Sequence, residues 1–241
     1  MQSISLTVPK FQQPLLVPTL FFLGLVSTAV GSLGAPLLPT IVVVDHVSLV
    51  DSQWALTISL LVGALATPVM GRLGDGKRRK QVILVGVLAV LIGCVLAALP
   101  LGFGALLVGR GLQGVGLGLV PLAIATARDA LPDERSGSAI ALLGVTTAAG
   151  IGVGYPVAGL ITQYLGLAAA FWFGALVSGL ALVSAAVVLP VGPQRLSHAV
   201  DIPGAVLLSV SVTGLLLALS EGPNWGWLSI RPQPVVGIEW T

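Results

Sequence analysis

The sequence predicts an all-α integral membrane protein with about seven transmembrane helices. Three observations carry that expectation. Charged residues make up 8% of the 241 residues and apolar ones 56%, against about 25% and 45–50% in soluble domains. No water-soluble fold covers its surface with so few charges. The apolar residues fall into runs long enough for the ~20-residue helix that a bilayer requires. The charges gather between those runs. Residues 71–80, Gly-Arg-Leu-Gly-Asp-Gly-Lys-Arg-Arg-Lys, hold five of the eleven Lys and Arg residues, and the flanking runs 55–70 and 82–100 hold none.

The first span is read at about 17–43. Lys10 ahead of an apolar run has the look of a signal peptide, but the run continues to Val44, too long for a signal core. The second span, 53–72, leads into the basic cluster. The third, 80–100, contains the single cysteine, Cys94, which excludes an internal disulfide and reads as a small packing residue. The fourth, 104–127, carries Arg110, the one charge placed in a span interior. A guanidinium facing lipid costs at least ~2.5–3.5 kcal/mol near the bilayer centre. Arg110 should therefore face a cavity or a partner, or else snorkel to the interface from a helix end. Gln113 lies one turn away on nearly the same face, within reach of a hydrogen bond.

The fifth span, 138–164, is glycine-rich. Gly150 and Gly154 share one face, and Ala148 and Gly152 another. Small-residue ridges of this kind let helix backbones approach closely in lipid. Pro156 lacks an amide hydrogen and its ring crowds the carbonyl of Gly152, which predicts a kink. The sixth span is 168–190. The seventh, 202–220, opens on Asp201-Ile-Pro203, a cap followed by a first-turn proline. Residues 229–241 form no eighth span. The links 45–52, 72–80, 101–103, 128–137, 165–167 and 191–201 are short, so neighbouring helices run antiparallel. The chain divides into a six-helix bundle at 1–190, a linker and seventh helix at 191–228, and an atypical tail at 229–241.

Charge sets the orientation. With the N-terminus cytoplasmic, Lys10, Arg72, Lys77, Arg78, Arg79, Lys80, Arg128, Arg135 and Arg195 lie inside, and the outer loops through Ile230 hold no Lys or Arg. Nine against none is the asymmetry that the positive-inside rule requires. Trp54, Trp172, Trp225 and Trp227 fall at the outer helix ends, where indoles favour the headgroup region. The expected location is the cell membrane, multi-pass, with the C-terminus outside.

Several function classes are excluded. Nucleic-acid binding needs a continuous basic face with polar or aromatic readers, and the chain has none. No His-Glu-x-x-His, no Gly-x-Ser-x-Gly and no paired intramembrane carboxylates are present, so no catalytic residue, metal site or cofactor is expected. His46 and His198 lie in loops too far apart in the topology to pair.

Three motifs resemble those of major facilitator superfamily transporters. Residues 71–80 are similar to the loop between the second and third helices, Gly-x-Leu-x-Asp-Arg-x-Gly-Arg-Arg/Lys. Gly71, Leu73, Asp75, Arg79 and Lys80 match it, while Gly76 replaces a basic residue and Arg78 a glycine. Arg110, Gln113, Gly114, Gly116 and Gly118 match the fourth-helix pattern Arg-x-x-Gln-Gly. Gly150, Gly154, Pro156 and Gly159 resemble the antiporter motif Gly-x-x-x-Gly-Pro-x-x-Gly-Gly, with Tyr155 inserted and Leu160 in place of the last glycine. The three occur in family order and at family spacing. With the seventh helix they look most like the fourteen-helix drug:proton antiporter branch.

That resemblance implies the six-helix N-terminal bundle of a major facilitator fold plus one further helix. It implies proton-coupled efflux of drugs or small metabolites, with Arg110 and Gln113 in proton coupling, 71–80 as a gating loop and the fifth helix as the antiporter element. Two departures stand out: Val30 occupies the position where the branch usually has a first-span acid, and no span contains a carboxylate. Superfamily transporters place substrate between two six-helix halves, whereas one half and a seventh helix are read here. The expectation is a truncated or frame-shifted product, inactive by itself, or completed by self-association or a missing C-terminal half. Its partners would be the bilayer, a small-molecule substrate and protons. The alternative is a seven-helix membrane protein of non-transport function, a receptor or a membrane-embedded partner subunit. A cytoplasmic N-terminus and short loops argue against it.

Overall fold

The computed structural model describes residues 13–75 and 78–190 and a set of positions between 204 and 218. Up to residue 190 the elements are α1 (Gln13–Ser32), α2 (Gly34–Val44), α3 (Leu49–Leu73), α4 (Arg79–Ala98), α5 (Phe103–Gly114), a 3-10 turn (Val115–Gly118), α6 (Leu119–Ala130), α7 (Asp133–Leu165) and α8 (Leu167–Val188). Among the described residues, six stretches are long and apolar enough to cross a bilayer: Pro14–Ser32, Leu49–Leu73, Arg79–Ala98, Phe103–Ala130, Glu134–Leu165 and Leu167–Val188. The chain is an all-helical, multi-pass membrane protein. Residues 201–241 form a separate unit. The seventh span expected there falls largely outside the described residues, although 204, 207, 210–212, 214, 215 and 218 are helical. The linker at 191–201 and the tail at 229–241 lie outside them.

The first expected span is two helices. Pro36 has no amide to give the carbonyl of Ser32, so the α1 ladder stops there, and the Leu33 amide closes a tight turn on Val30 O at 3.3 Å. The same proline suits the first turn of α2, where amides have no intrahelical acceptor. The fourth span is also interrupted. Pro121 offers no amide to Leu117, and the chain tightens into the 3-10 turn Val115–Gly118 between α5 and α6. The link expected at 128–137 shrinks to Leu131 and Pro132, because α7 already begins at Asp133. Acidic Glu134 suits the positive end of that helix dipole. Despite Pro156, α7 continues without a break to Leu165.

Two interhelical turns need glycine. Gly102 and Gly166 have φ of +86° and +88°, a region that a Cβ disfavours. At the start of α3, Ser48 Oγ accepts from the Asp51 amide at 3.0 Å and caps the helix.

Within the bundle α4 packs on α8 and α5, α1 on α7, and α3 on α5. Glycines set the closest approaches. A Cβ on Gly93 of α4 would stand 2.5 Å from Gly109 O, and one on Gly109 of α5 2.6 Å from Gly93 O. The shared core includes Leu20, Leu23 and Val30 of α1, Leu37 and Ile41 of α2, Cys94 of α4, Leu119 and Ala123 of α6, and Phe171 of α8.

Candidate functional site

The centre of the bundle is built around Arg110. Gly109 and Gly111 flank it on α5, and the thin helix face lets its neighbours close in until the side chain is 0% exposed. Its Nε donates to Ala55 O at 3.1 Å, in the second turn of α3. Nη1 donates to Val30 O at 3.3 Å and to Gln113 Oε1. Nη2 donates to Gly31 O at 3.1 Å. The carbonyls of Val30 and Gly31 belong to the last turn of α1, where acceptors lose their intrahelical i+4 amides, and Val30 O takes the guanidinium besides the Leu33 amide. They are available because Pro36 forces the break. The C-terminal end of α1 is also the negative end of its dipole. Among the described residues the guanidinium therefore rests on neutral acceptors and a helix end, not on a carboxylate.

This geometry answers the sequence expectation for Arg110. It neither snorkels nor lines an open cavity; it is enclosed by partners. Gln113 is the partner that helical spacing foretells. Its Oε1 is used, while its Nε2 is buried with no acceptor among the described residues. The space for the guanidinium depends on Gly34, since a Cβ there would stand 2.7 Å from Arg110 Nη2. At Val30 the side chain is buried apolar core, and the backbone carbonyl of that same residue meets the arginine.

A second charged centre sits where α3 and α6 end and α4 begins. Arg79 is 4% exposed and its Nη1 lies 2.7 Å from Asp129 Oδ2, itself 12% exposed. Nη1 also donates to Ala125 O at 3.1 Å, and Nε to Gly74 O at 3.0 Å. Gly74 stays small because a Cβ there would strike Leu122 and stand 2.9 Å from Met70 O. Asp75 is exposed, Lys80 and Gly71 are half-buried, and the space beside Gly71 is open. Of the five loop residues matched from sequence, Arg79 is the one buried in the bundle, and Leu73 is exposed. Residues 76 and 77 lie outside the described residues.

The α7 glycines divide into two faces. Gly150 packs against Thr28 and Leu25 of α1, and Gly154 against Ser32 and Ala29; a Cβ on Gly154 would stand 2.8 Å from Ser32 Oγ. Gly152 and Gly159 have open space, and Ala148, Tyr155 and Pro156 are exposed. Of the two expected ridges, Gly150–Gly154 is the one that brings α7 onto α1.

Sequence reasoning missed Asp129, Gly34 and Gly74. Asp129 had a usable signal: the positive-inside topology puts it on the same side as residues 71–80. The three carbonyls that hold Arg110 had no signal, because every residue carries one. Among the described residues no three His, Cys, Asp or Glu side chains are grouped to hold a metal ion. A shallow groove of about 330 Å³ on the outer side of α3 and α5, lined by Ile58, Val62, Leu107, Val108, Gly111 and Leu112, is apolar.

Comparison with known proteins gives this geometry its family. The chain is 33% identical over 217 residues to an uncharacterised MFS-type transporter of Mycobacterium tuberculosis, covering 88% of this chain and 31% of that protein. It is 33% identical over 221 residues to the tetracenomycin C resistance and export protein of Streptomyces glaucescens, covering 86% and 40%. With multidrug resistance protein 3 of Bacillus subtilis it shares 27% over 217 residues, covering 89% and 40%. The chain thus spans 31–40% of the length of these relatives. In fold it is similar to the human organic anion transporter MFSD10, with a TM-score of 0.67 at 20% identity, over 86% of this chain and 56% of that one. A peptide transporter POT bound to sulfate gives a TM-score of 0.65 at 19% identity, over 89% and 47%. The model of the Major Facilitator Superfamily matches residues 20–240, and the chain belongs to that superfamily.

Proposed function

We propose that the chain forms the N-terminal six-helix bundle of a proton-coupled exporter of drugs or small metabolites, lying in the cell membrane with its N-terminus and residues 71–80 cytoplasmic. The observation that carries this reading is the fully buried Arg110, fixed across α1, α3 and α5 without a carboxylate partner among the described residues. A charge kept inside a membrane bundle marks a substrate or ion pathway. Relatives named for drug resistance and export support efflux over uptake, and so does the glycine face of α7. The Lys/Arg asymmetry supports the orientation.

In this reading Arg110 and Gln113 respond to proton binding, Gly71, Asp75, Arg79 and Lys80 belong to the cytoplasmic gate, and Gly150, Gly154, Pro156 and Gly159 shape the antiporter helix. Alternating access rocks two bundles about a shared central site. The described spans supply one bundle, so transport calls for a second, from a second copy or from a C-terminal half. The test uses the protein in proton-loaded vesicles with a fluorescent cationic dye, alone and co-reconstituted with the C-terminal half of a relative, and with crosslinking to read assembly. Dye transport should need the second bundle and be lost in Arg110→Ala. Transport that survives Arg110→Ala would reduce the arginine to a structural tie.

A further inference from the structure

An antiporter must hold a proton on an acidic group during part of its cycle, and the described spans carry carboxylates at their ends alone, at Asp51, Asp129 and Glu134. The carboxylates therefore have to be searched at the bundle ends. Asp129 is committed to Arg79. Asp51 sits exposed at the start of α3 and takes the Ser48 hydroxyl at 2.6 Å. Asp45 differs from both. It is the half-buried C-cap residue of α2, its amide bonded to Ile41 O at 2.9 Å. Oδ2 is buried with no hydrogen-bond partner among the described residues.

We propose that Asp45 is a proton-binding site at the outer end of the bundle, taking up the proton that enters from outside; the transport role rests on the antiport reading above. Two physical causes put the proton there. A buried carboxylate oxygen without a donor is costly when charged, and protonation removes that cost. The position is also the negative end of the α2 dipole, which disfavours an anion. A protonated Oδ2 is a neutral acid that no longer needs a donor, whereas the carboxylate does. One proton moves from water to Oδ2, the carboxylate becomes a neutral acid, and release reverses the step.

The surrounding charges are few. His46 follows directly, in a left-handed conformation at φ +54°. From α3 the titratable group at this end is Asp51, and from α7 it is Tyr164. The described residues of α1, α2 and α8 carry none. Arg110 on α5 lies deeper, at the level of Ala55. Burial raises the Asp45 carboxyl above its ordinary 3.8, and His46 opposes the shift in part. The folded form thus binds the proton more tightly than the unfolded form. Its stability contribution is greatest at low pH and declines as pH climbs from the ordinary carboxylate range through the raised value.

The test is infrared titration of the protonated-carboxyl stretch for the protein in lipid vesicles, with no substrate present. A protonated carboxyl should persist above the ordinary carboxylate range, vanish in Asp45→Asn, and remain in Asp51→Asn and in Asp45→Glu. Unchanged helical circular dichroism would show that Asp45→Asn still folds. A signal that survives Asp45→Asn, or one that disappears within the ordinary range, overturns the proposal. The titration needs no transport. A failed dye assay with the signal present therefore counts against the antiport reading and leaves the proton site standing.

Discussion

Among the described residues two arginines are buried in this bundle, and they are satisfied in different ways. Arg79 sits at the end where α3, α4 and α6 meet and pairs with the Asp129 carboxylate. Arg110 sits at the centre, and its partners among the described residues are Gln113 and three backbone carbonyls. The end of the bundle can afford an ion pair, since headgroups and water share the cost of desolvating it. At the centre a fixed carboxylate would lock the guanidinium, whereas carbonyls hold it with geometry alone. Only a fork of five donors can reach α1, α3 and its own helix together. The difference teaches that a membrane bundle can supply a counter-charge by breaking a helix.

The comparison breaks most clearly at Arg110. Arg110→Ala should cost about 2–5 kcal/mol, because it empties a packed site and leaves buried acceptors unpaired; thermal unfolding in detergent measures it. A loss no larger than that of an exposed control such as Arg72→Ala would contradict the enclosed geometry. Arg110→Lys keeps the charge and loses the fork. One ammonium cannot span acceptors on two other helices, so about 1–3 kcal/mol should still be lost.

The seam that positions α1 comes next. Gly150→Ala should cost roughly 1–3 kcal/mol through a clash with Thr28 and the Leu25 carbonyl. It should also disturb the turn that offers Val30 and Gly31 to Arg110. Gly152→Ala, with open space at that position, should change stability by less than about 0.5 kcal/mol. Equal effects at the two glycines would mean that this face does not set the approach of α7 to α1.

Smallest is the end pair. Asp129→Asn should cost about 1 kcal/mol, since Arg79 keeps the carbonyls of Gly74 and Ala125. Added salt should shrink that cost slightly and leave the Arg110 variants unchanged, because a mostly buried pair at a bundle end is screened weakly and one at the centre less still. Salt-dependent Arg110 variants would place the arginine near water.

Much of this was legible in the sequence, for reasons that differ from residue to residue. Apolarity and length marked the spans, because a bilayer demands both. The one-turn spacing of Arg110 and Gln113 foretold their contact, since helical neighbours are fixed locally. The break after Ser32 was written in Pro36, four residues on, but hydropathy reads straight through a proline. Asp129 lies 50 residues from Arg79, so their pairing is a product of tertiary packing. Ala148–Gly152 and Gly150–Gly154 obey the same spacing rule, and which ridge meets α1 is decided by the rotation of α7 in the bundle. No sequence pattern marks the carbonyls of Val30, Gly31 and Ala55.

The central claim is that Arg110 is held by the end of a broken first helix. Solid-state NMR in lipid bilayers tests it most directly, through dipolar couplings between the Arg110 guanidinium nitrogens and labelled carbonyl carbons of Val30, Gly31 and Ala55. The N···O distances of 3.1–3.3 Å, plus a carbonyl bond of about 1.2 Å, place each carbon within ~4.5 Å of a nitrogen. Couplings of that strength to all three carbonyls are the predicted result. Couplings to lipid phosphorus or bulk water, with none to Val30 and Gly31, would contradict it.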